Sequence, residues 1–217
     1  MYKKIDCTEY RNVFVIGDLH GCYDVLMRSL KKEGFDRSQD LLVCVGDLID
    51  RGSKNLECLG LMLEDWFVTV RGNHEQLALD AITRPTYTTL NAWAYNGGQW
   101  FYDLEDQGLA EHLIKMTEDL PYVIELNLPN NEKNKKIVVC HSDYPEDVYE
   151  YDKPVDKFDI LWSRERIDKK LETVVKGADL FIHGHTPLNE VCILGNRLYI
   201  DTGVVFGGKL TLLQVND

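Results

Sequence analysis

Residues 41–52 read LLVCVGDLIDRG: five apolar residues, a glycine, then two aspartates three apart with an arginine and a glycine directly behind them. A short apolar run bounded by glycine reads as a buried strand. A buried strand that empties into carboxylates poses a charge problem, because desolvating an unpaired carboxylate is strongly unfavourable. Arg51 can neutralise one of Asp47 and Asp50. The pair needs something further.

The same arrangement recurs along the chain. Residues 13–16 (VFVI) run into Gly17-Asp18-Leu19-His20-Gly21, and residues 67–70 (FVTV) run into Arg71-Gly72-Asn73-His74-Glu75. Residues 136–140 end at His141, and residues 180–182 (LFI) lead to His183-Gly184-His185. Helical patterns at 24–33 and 55–64 separate the first three strands, so these are βαβ units with parallel strands. Their apolar residues occupy both faces, which predicts a sheet covered on both sides. From about 76 to 120 the strand signal gives way to helical patterns broken by Pro85, Gly97-Gly98 and Gly108, which we read as a helical insertion. Strands return at 122–128 and 136–140, joined by the turn-rich PNNEKNK of a hairpin, and then at 180–182, 197–200 and 210–215. The expected fold is an α/β sandwich built from βαβ units with helices outside, forming one domain over 1–217.

Composition bounds the function. With 44% hydrophobic and 28% charged residues the chain is an ordinary globular one, and its net charge of −12 counts against a nucleic-acid surface. No apolar run approaches the ~20 residues of a membrane span. The opening MYKKIDCTEY lacks the apolar core of a signal peptide, so a cytoplasmic location is expected. The six cysteines form no C-x-x-C pair, and Cys44 and Cys140 lie inside apolar runs; they read as reduced, buried hydrophobes.

In open α/β sheets, ligands bind outside the carboxyl ends of the strands. Five strand ends here carry Asp, His or Asn. Each alone reads as a cap or turn residue; together they point to bound metal. Asp47 can bridge two cations, with Asp18 and His20 completing one site and Asn73, His141 and His185 the other. A mixed oxygen and nitrogen donor set suits manganese, iron or zinc better than magnesium or calcium. Two divalent ions would make the site locally positive whatever the global charge.

The segments GDLHG, GDLIDRG and GNHE, followed by distant single histidines, resemble the signature of the PPP-type metallophosphoesterases, which are calcineurin-like. Within that family the chain is similar to the lambda-type serine/threonine protein phosphatases. The likeness extends to KIDCTEYRNVFVIGDLHGCY, NGGQWF, HSDYP, LWSRERI and GHTP…YIDTGVVFGGKLTLLQV, and so spans nearly the whole chain. It implies Asp18, His20 and Asp47 as ligands of one metal, and Asp47, Asn73, His141 and His185 as ligands of the second. It implies His74 as the acid that protonates the leaving oxygen, Asp50 as its orienting carboxylate, and Arg51 and Arg164 as phosphate-clamping arginines. A carboxylate beside an imidazole favours its protonated form, and a guanidinium fork matches two phosphate oxygens. The implied chemistry is direct attack by a metal-bridged hydroxide, without a phosphoenzyme; no cysteine sits in the C-x5-R loop of a thiol phosphatase.

Two activities follow from the resemblance. The first is removal of phosphate from serine or threonine of phosphorylated proteins or peptides, with tyrosine or histidine as further residues that an open site would tolerate. The alternative is bis(5′-nucleosyl)-tetraphosphate hydrolysis, which shares the motifs but needs a nucleotide-binding surface for which the sequence offers no clear candidate. A non-catalytic metal-binding scaffold would be expected to lack His74, Asp50 or Arg51, and all three are present. Two divalent ions are expected, manganese first with iron or zinc as alternatives, and a monomer without membrane or nucleic-acid partners is expected. His183 is an extra imidazole, read as a hydrogen-bonded neighbour of the site rather than a ligand, and NAWAYNGGQWF is read as the insertion's own core.

Overall fold

The computed structural model describes residues 1–216. In chain order the elements are β1 (Tyr2–Asp6), β2 (Val13–Ile16), α1 (Tyr23–Lys32), β3 (Leu41–Cys44), α2 (Asn55–Gly60), β4 (Phe67–Thr69), α3 (Asn73–Thr83), α4 (Tyr87–Tyr95), α5 (Gly108–Met116), β5 (Val123–Asn127), β6 (Lys136–Cys140), α6 (Lys157–Trp162), α7 (Glu165–Asp168), β7 (Leu180–His183), β8 (Cys192–Leu194), β9 (Arg197–Tyr199) and β10 (Leu212–Gln214).

Two sheets face one another. The smaller has the order β10-β2-β3-β4 and the larger β1-β5-β6-β7-β9-β8. Strands β2, β3 and β4 are parallel, with Ile16 opposite Cys44 and Cys44 opposite Thr69, so their carboxyl ends stop at one level. In the larger sheet β6, β7 and β9 are parallel, and Val139 is level with Ile182. Period-two alternation divides the apolar residues of the smaller sheet. Val13, Val15, Leu41 and Val43 point inward against Ile124, Ile137, Val139 and Ile182 of the larger sheet. Phe14, Ile16, Leu42 and Cys44 point outward against α1, α2 and the helices that follow β4. One face of each strand is thus covered by helices and the other by a second sheet, which is why the runs are apolar throughout.

The helical insertion is real but starts earlier than expected. Helix α3 begins at Asn73, because Glu75 sits at its third position and caps the Gly72 amide. In the acidic, tyrosine-rich stretch 143–154, Tyr144 and Tyr149 are buried against Phe181. Residues 122–128 and 136–140 form the antiparallel hairpin β5–β6. Among the described residues, no helix is long and apolar enough to cross a membrane, and all six cysteines are free.

Candidate active site

The aligned strand ends bring every site residue expected from the sequence to one place. The loops after β2, β3 and β4 emerge side by side, and those after β6 and β7 meet them from the facing sheet. His141 Nδ1 lies 2.8 Å from the Val45 carbonyl, which ties the two sheets together at this end. Tight delivery demands unusual backbone. Among the described residues, His20, Asp47, Asp50, Arg51 and His185 are five of the seven non-glycine residues in the left-handed region. Such strain clusters where surrounding contacts over-determine the geometry.

Asp47 is the hub. Its Oδ2 lies 3.6 Å from His20 Nε2 and 3.9 Å from His74 Nε2. Its Oδ1 lies 3.4 Å from His141 Nε2. The two carboxylate oxygens therefore serve two groups, His20-Asp47-His74 and Asp47-His141-His185, whose donor atoms lie within 4.8 Å of one another in each group. Asn73 Oδ1 sits 2.8 Å from both His141 Nε2 and His185 Nδ1. Asp18 Oδ2 is 4.0 Å from His20 Nε2, and its carboxylate accepts the His185 amide.

The imidazole rings are held in fixed orientations. His20 Nδ1 and His141 Nδ1 each face a backbone carbonyl at 2.8 Å, of Ile49 and Val45, which turns each Nε2 into the cavity. Burial holds His20 and His185 down to about 3, so both rings are neutral. At His141 burial is outweighed by Asp47, which raises it to about 9. Burial and the charges of Asp201 and Asp47 push Asp18 up, whereas His141 and its neighbouring imidazoles overcome burial and hold Asp47 well below the usual range. Buried oxygens and ring nitrogens turned toward each other, with a shared carboxylate between them, form a donor set that fits two divalent cations.

His74 stands beside this set. Its Nδ1 is 2.7 Å from Asp50 Oδ2, and its amide donates to Asp47 Oδ1. The two exposed arginines flank the mouth: Arg51 Nη1 is 2.6 Å from His20 Nε2, and Arg164 Nε is 3.3 Å from His185 Nε2. His183 is apart from both groups. It is fully buried, with Nδ1 3.3 Å from the Cys140 carbonyl and the ring against Tyr199.

Four residues at the site went unassigned in the sequence. Glu75 accepts the amides of Asp47, Leu48 and Gly72 at 2.8–2.9 Å, clamping two loops with one carboxylate; burial raises it to about 7. Its place directly after Asn73-His74 at a helix start was the available signal. Asp201, buried beyond β9, obeys the strand-end rule that found the others. Trp93 and Trp100 reach Asp50 from the insertion, and no local pattern announces that.

The model of the calcineurin-like phosphoesterases matches residues 11–213. Serine/threonine-protein phosphatase 1 of Salmonella typhimurium is 46% identical over 217 residues, covering 99% of this chain and 97% of that protein. An asymmetrical bis(5′-nucleosyl)-tetraphosphatase of Bacillus cereus is 26% identical, covering 92% of this chain and 89% of that protein. A solved serine/threonine phosphatase of Saccharomyces cerevisiae superposes with a TM-score of 0.58 at 17% identity, covering 92% of this chain and 70% of that one, and shares the fold.

Proposed function

The chain belongs to the calcineurin-like phosphoesterase family, and on that premise we propose that it is a metal-dependent phosphomonoester hydrolase, a serine/threonine protein phosphatase. The observation that carries this reading is Asp47 shared between two histidine groups, with the Asp50–His74 pair at their edge. Asp18, His20 and Asp47 would hold one divalent ion, and Asp47, Asn73, His141 and His185 the second. Manganese is our assignment; iron or zinc suits the same donors. Bound there, the ions supply Lewis acidity, which lowers the pKa of water and offsets charge on phosphoryl oxygens.

The protein's own residues do the rest. Arg51 and Arg164 swing from the imidazoles to grip phosphoryl oxygens in paired hydrogen bonds. Asp50 holds His74 Nδ1, which fixes the ring and leaves Nε2 to give its proton to the departing serine or threonine oxygen. The protein is taken to act as a monomer in the cytoplasm on phosphorylated proteins or peptides, without membrane or nucleic-acid partners; the −12 charge supports the last point.

The similarity to a tetraphosphatase at 26% identity favours bis(5′-nucleosyl)-tetraphosphate hydrolysis as a second reading. The stronger match, at 46%, is to a protein phosphatase. Protein stripped with chelator and resupplied with Mn²⁺ is expected to release phosphate from a phosphoserine peptide and to leave diadenosine tetraphosphate intact. Cleavage confined to the dinucleotide would reverse the two readings. His74→Asn is expected to slow the peptide by about 10²–10⁴-fold and p-nitrophenyl phosphate far less, since p-nitrophenolate scarcely needs a proton. Equal losses would remove the acid role.

A further inference from the structure

The Asp50 carboxylate is surrounded by donors. Besides His74 Nδ1 at 2.7 Å, it accepts Trp93 Nε1 at 3.0 Å on one oxygen and 3.1 Å on the other, and Trp100 Nε1 at 2.8 Å on Oδ1. Both indoles come from the insertion, Trp93 from α4 and Trp100 from the 3-10 turn Gly98–Phe101. Asp50 itself is fully buried, as is Trp93.

The insertion also grips the next residue. The Gly97 carbonyl accepts the Arg51 amide at 3.4 Å. Asp50 and Arg51 are successive non-glycine residues at φ 75° and 70°, a conformation that persists where surrounding contacts over-determine it. Gly97 and Gly98 make the approach possible. A Cβ on Gly97 would lie 2.9 Å from Arg51 Cγ, and one on Gly98 would lie 2.4 Å from Trp93 Nε1.

We infer that Trp93 and Trp100 are positioning residues for the acid, and that the helical insertion is a clamp on the Asp50–Arg51 turn rather than a cover alone. An indole N–H donates but never accepts and does not titrate in the working range. Two of them on one carboxylate fix its plane: Trp100 holds Oδ1, Trp93 spans both oxygens, and Oδ2 is thereby aimed at the imidazole. Deleting one leaves the carboxylate free to rotate within its pocket, which loosens the His74 ring at the step where its proton is delivered. The inference rests on the reading of His74 as the acid.

Trp100→Phe, which keeps the ring and removes the N–H, is expected to slow a phosphoserine peptide roughly 10-fold, within the total contribution of the acid, and p-nitrophenyl phosphate by much less. In an Asp50→Asn background it should cause no further loss on the peptide. Equal loss on both substrates, or full additivity with Asp50→Asn, would reduce Trp100 to a packing residue and overturn the inference. A second measurement needs no activity. The chain has four tryptophans, hence four indole N–H signals in a ¹⁵N–¹H spectrum, which Trp→Phe variants assign. Asp50→Asn is expected to shift the Trp93 and Trp100 signals and leave those of Trp66 and Trp162 in place, which also reports that the variant is folded; unmoved Trp93 and Trp100 signals would overturn the contact. If His74→Asn proves insensitive to the leaving group while the indole signals do move, the acid reading fails and the clamp on Asp50 stands.

Discussion

Asp47 and Asp40 show two ways in which one chain keeps a carboxylate buried. Asp47 is surrounded by imidazoles, in an arrangement that could share a cation with it. Asp40, immediately before β3, is 1% exposed and is satisfied by protein alone: Arg11 Nε donates to it at 2.8 Å, the Asp36 amide at 2.8 Å and the Asn12 amide at 3.1 Å. Burial alone would raise its pKa, but these hydrogen bonds and the guanidinium prevail and hold it below the usual carboxylate range. A carboxylate depressed on folding adds stability above its unfolded pKa near 4, and that stability is lost as pH falls through the folded value. Asp40→Asn is therefore expected to lower the stability of chelated protein at pH 7 by about 1–3 kcal/mol, as hydrogen bonds to a charged group are weakened. The urea midpoint of the variant should also change less between pH 7 and pH 3 than that of the parent. A parallel acid response would show that Asp40 is not depressed on folding. None of this was legible in the sequence: Asp40 precedes an apolar run like many turn residues, and its partner Arg11 lies 29 positions away. The residues that gather at the candidate metal site were legible because they follow apolar runs, a pattern that survives in one dimension. Asp201 follows the same pattern beyond β9 and could have been read; the indole contacts to Asp50 span 43 and 50 positions and could not.

Elements were legible to the degree that they bury two faces. Strands β2 and β3 are apolar from end to end, and β6 is so after Lys136; their positions follow from the sequence within a residue. Strand β1, YKKID, has three exposed positions and pairs only at the edge with β5, so it lacks that signature. Strand β8 is three residues long, and α6 and α7 are too short for a helical period to be seen. Glycines separate elements that tolerate change from those that do not. Gly60 ends α2 at φ −58°, and a Cβ there would meet nothing within 4 Å. Gly60→Ala is expected to raise stability by about 0.4–1 kcal/mol, because it restricts the unfolded chain without strain. Gly98→Ala drives a methyl into the buried Trp93 indole and is expected to lower stability by about 1–3 kcal/mol, with a fall in turnover as the indole leaves Asp50. Urea unfolding of the two variants reads both signs. A stable, active Gly98→Ala would mean that the insertion can retreat from the turn at no cost.

At the scale of the molecule the site is the meeting of two sheets, and its charge sets how those sheets hold together. Asp18, Asp47 and Asp201 are all buried where β2, β3 and β9 end, and burial together with their mutual repulsion raises Asp18 and Asp201. Divalent cations placed among them would remove that repulsion and link side chains from both sheets, so metal binding should be a folding term as well as a catalytic one. A ligand that binds only the folded state stabilises it by RT ln(1 + [L]/Kd), about 2.7 kcal/mol per site at a hundredfold excess over Kd. For a chain of this length that corresponds to a rise in Tm of about 5–10 °C per site. Chelated protein titrated with Mn²⁺ is expected to gain stability in this range. Asp47→Asn, which removes the carboxylate both groups share, should lose most of the gain, whereas Asp18→Asn should lose about half. A full gain in Asp47→Asn would show that Mn²⁺ binds somewhere other than between the two histidine groups, and the two-ion reading of the strand ends would fall with it.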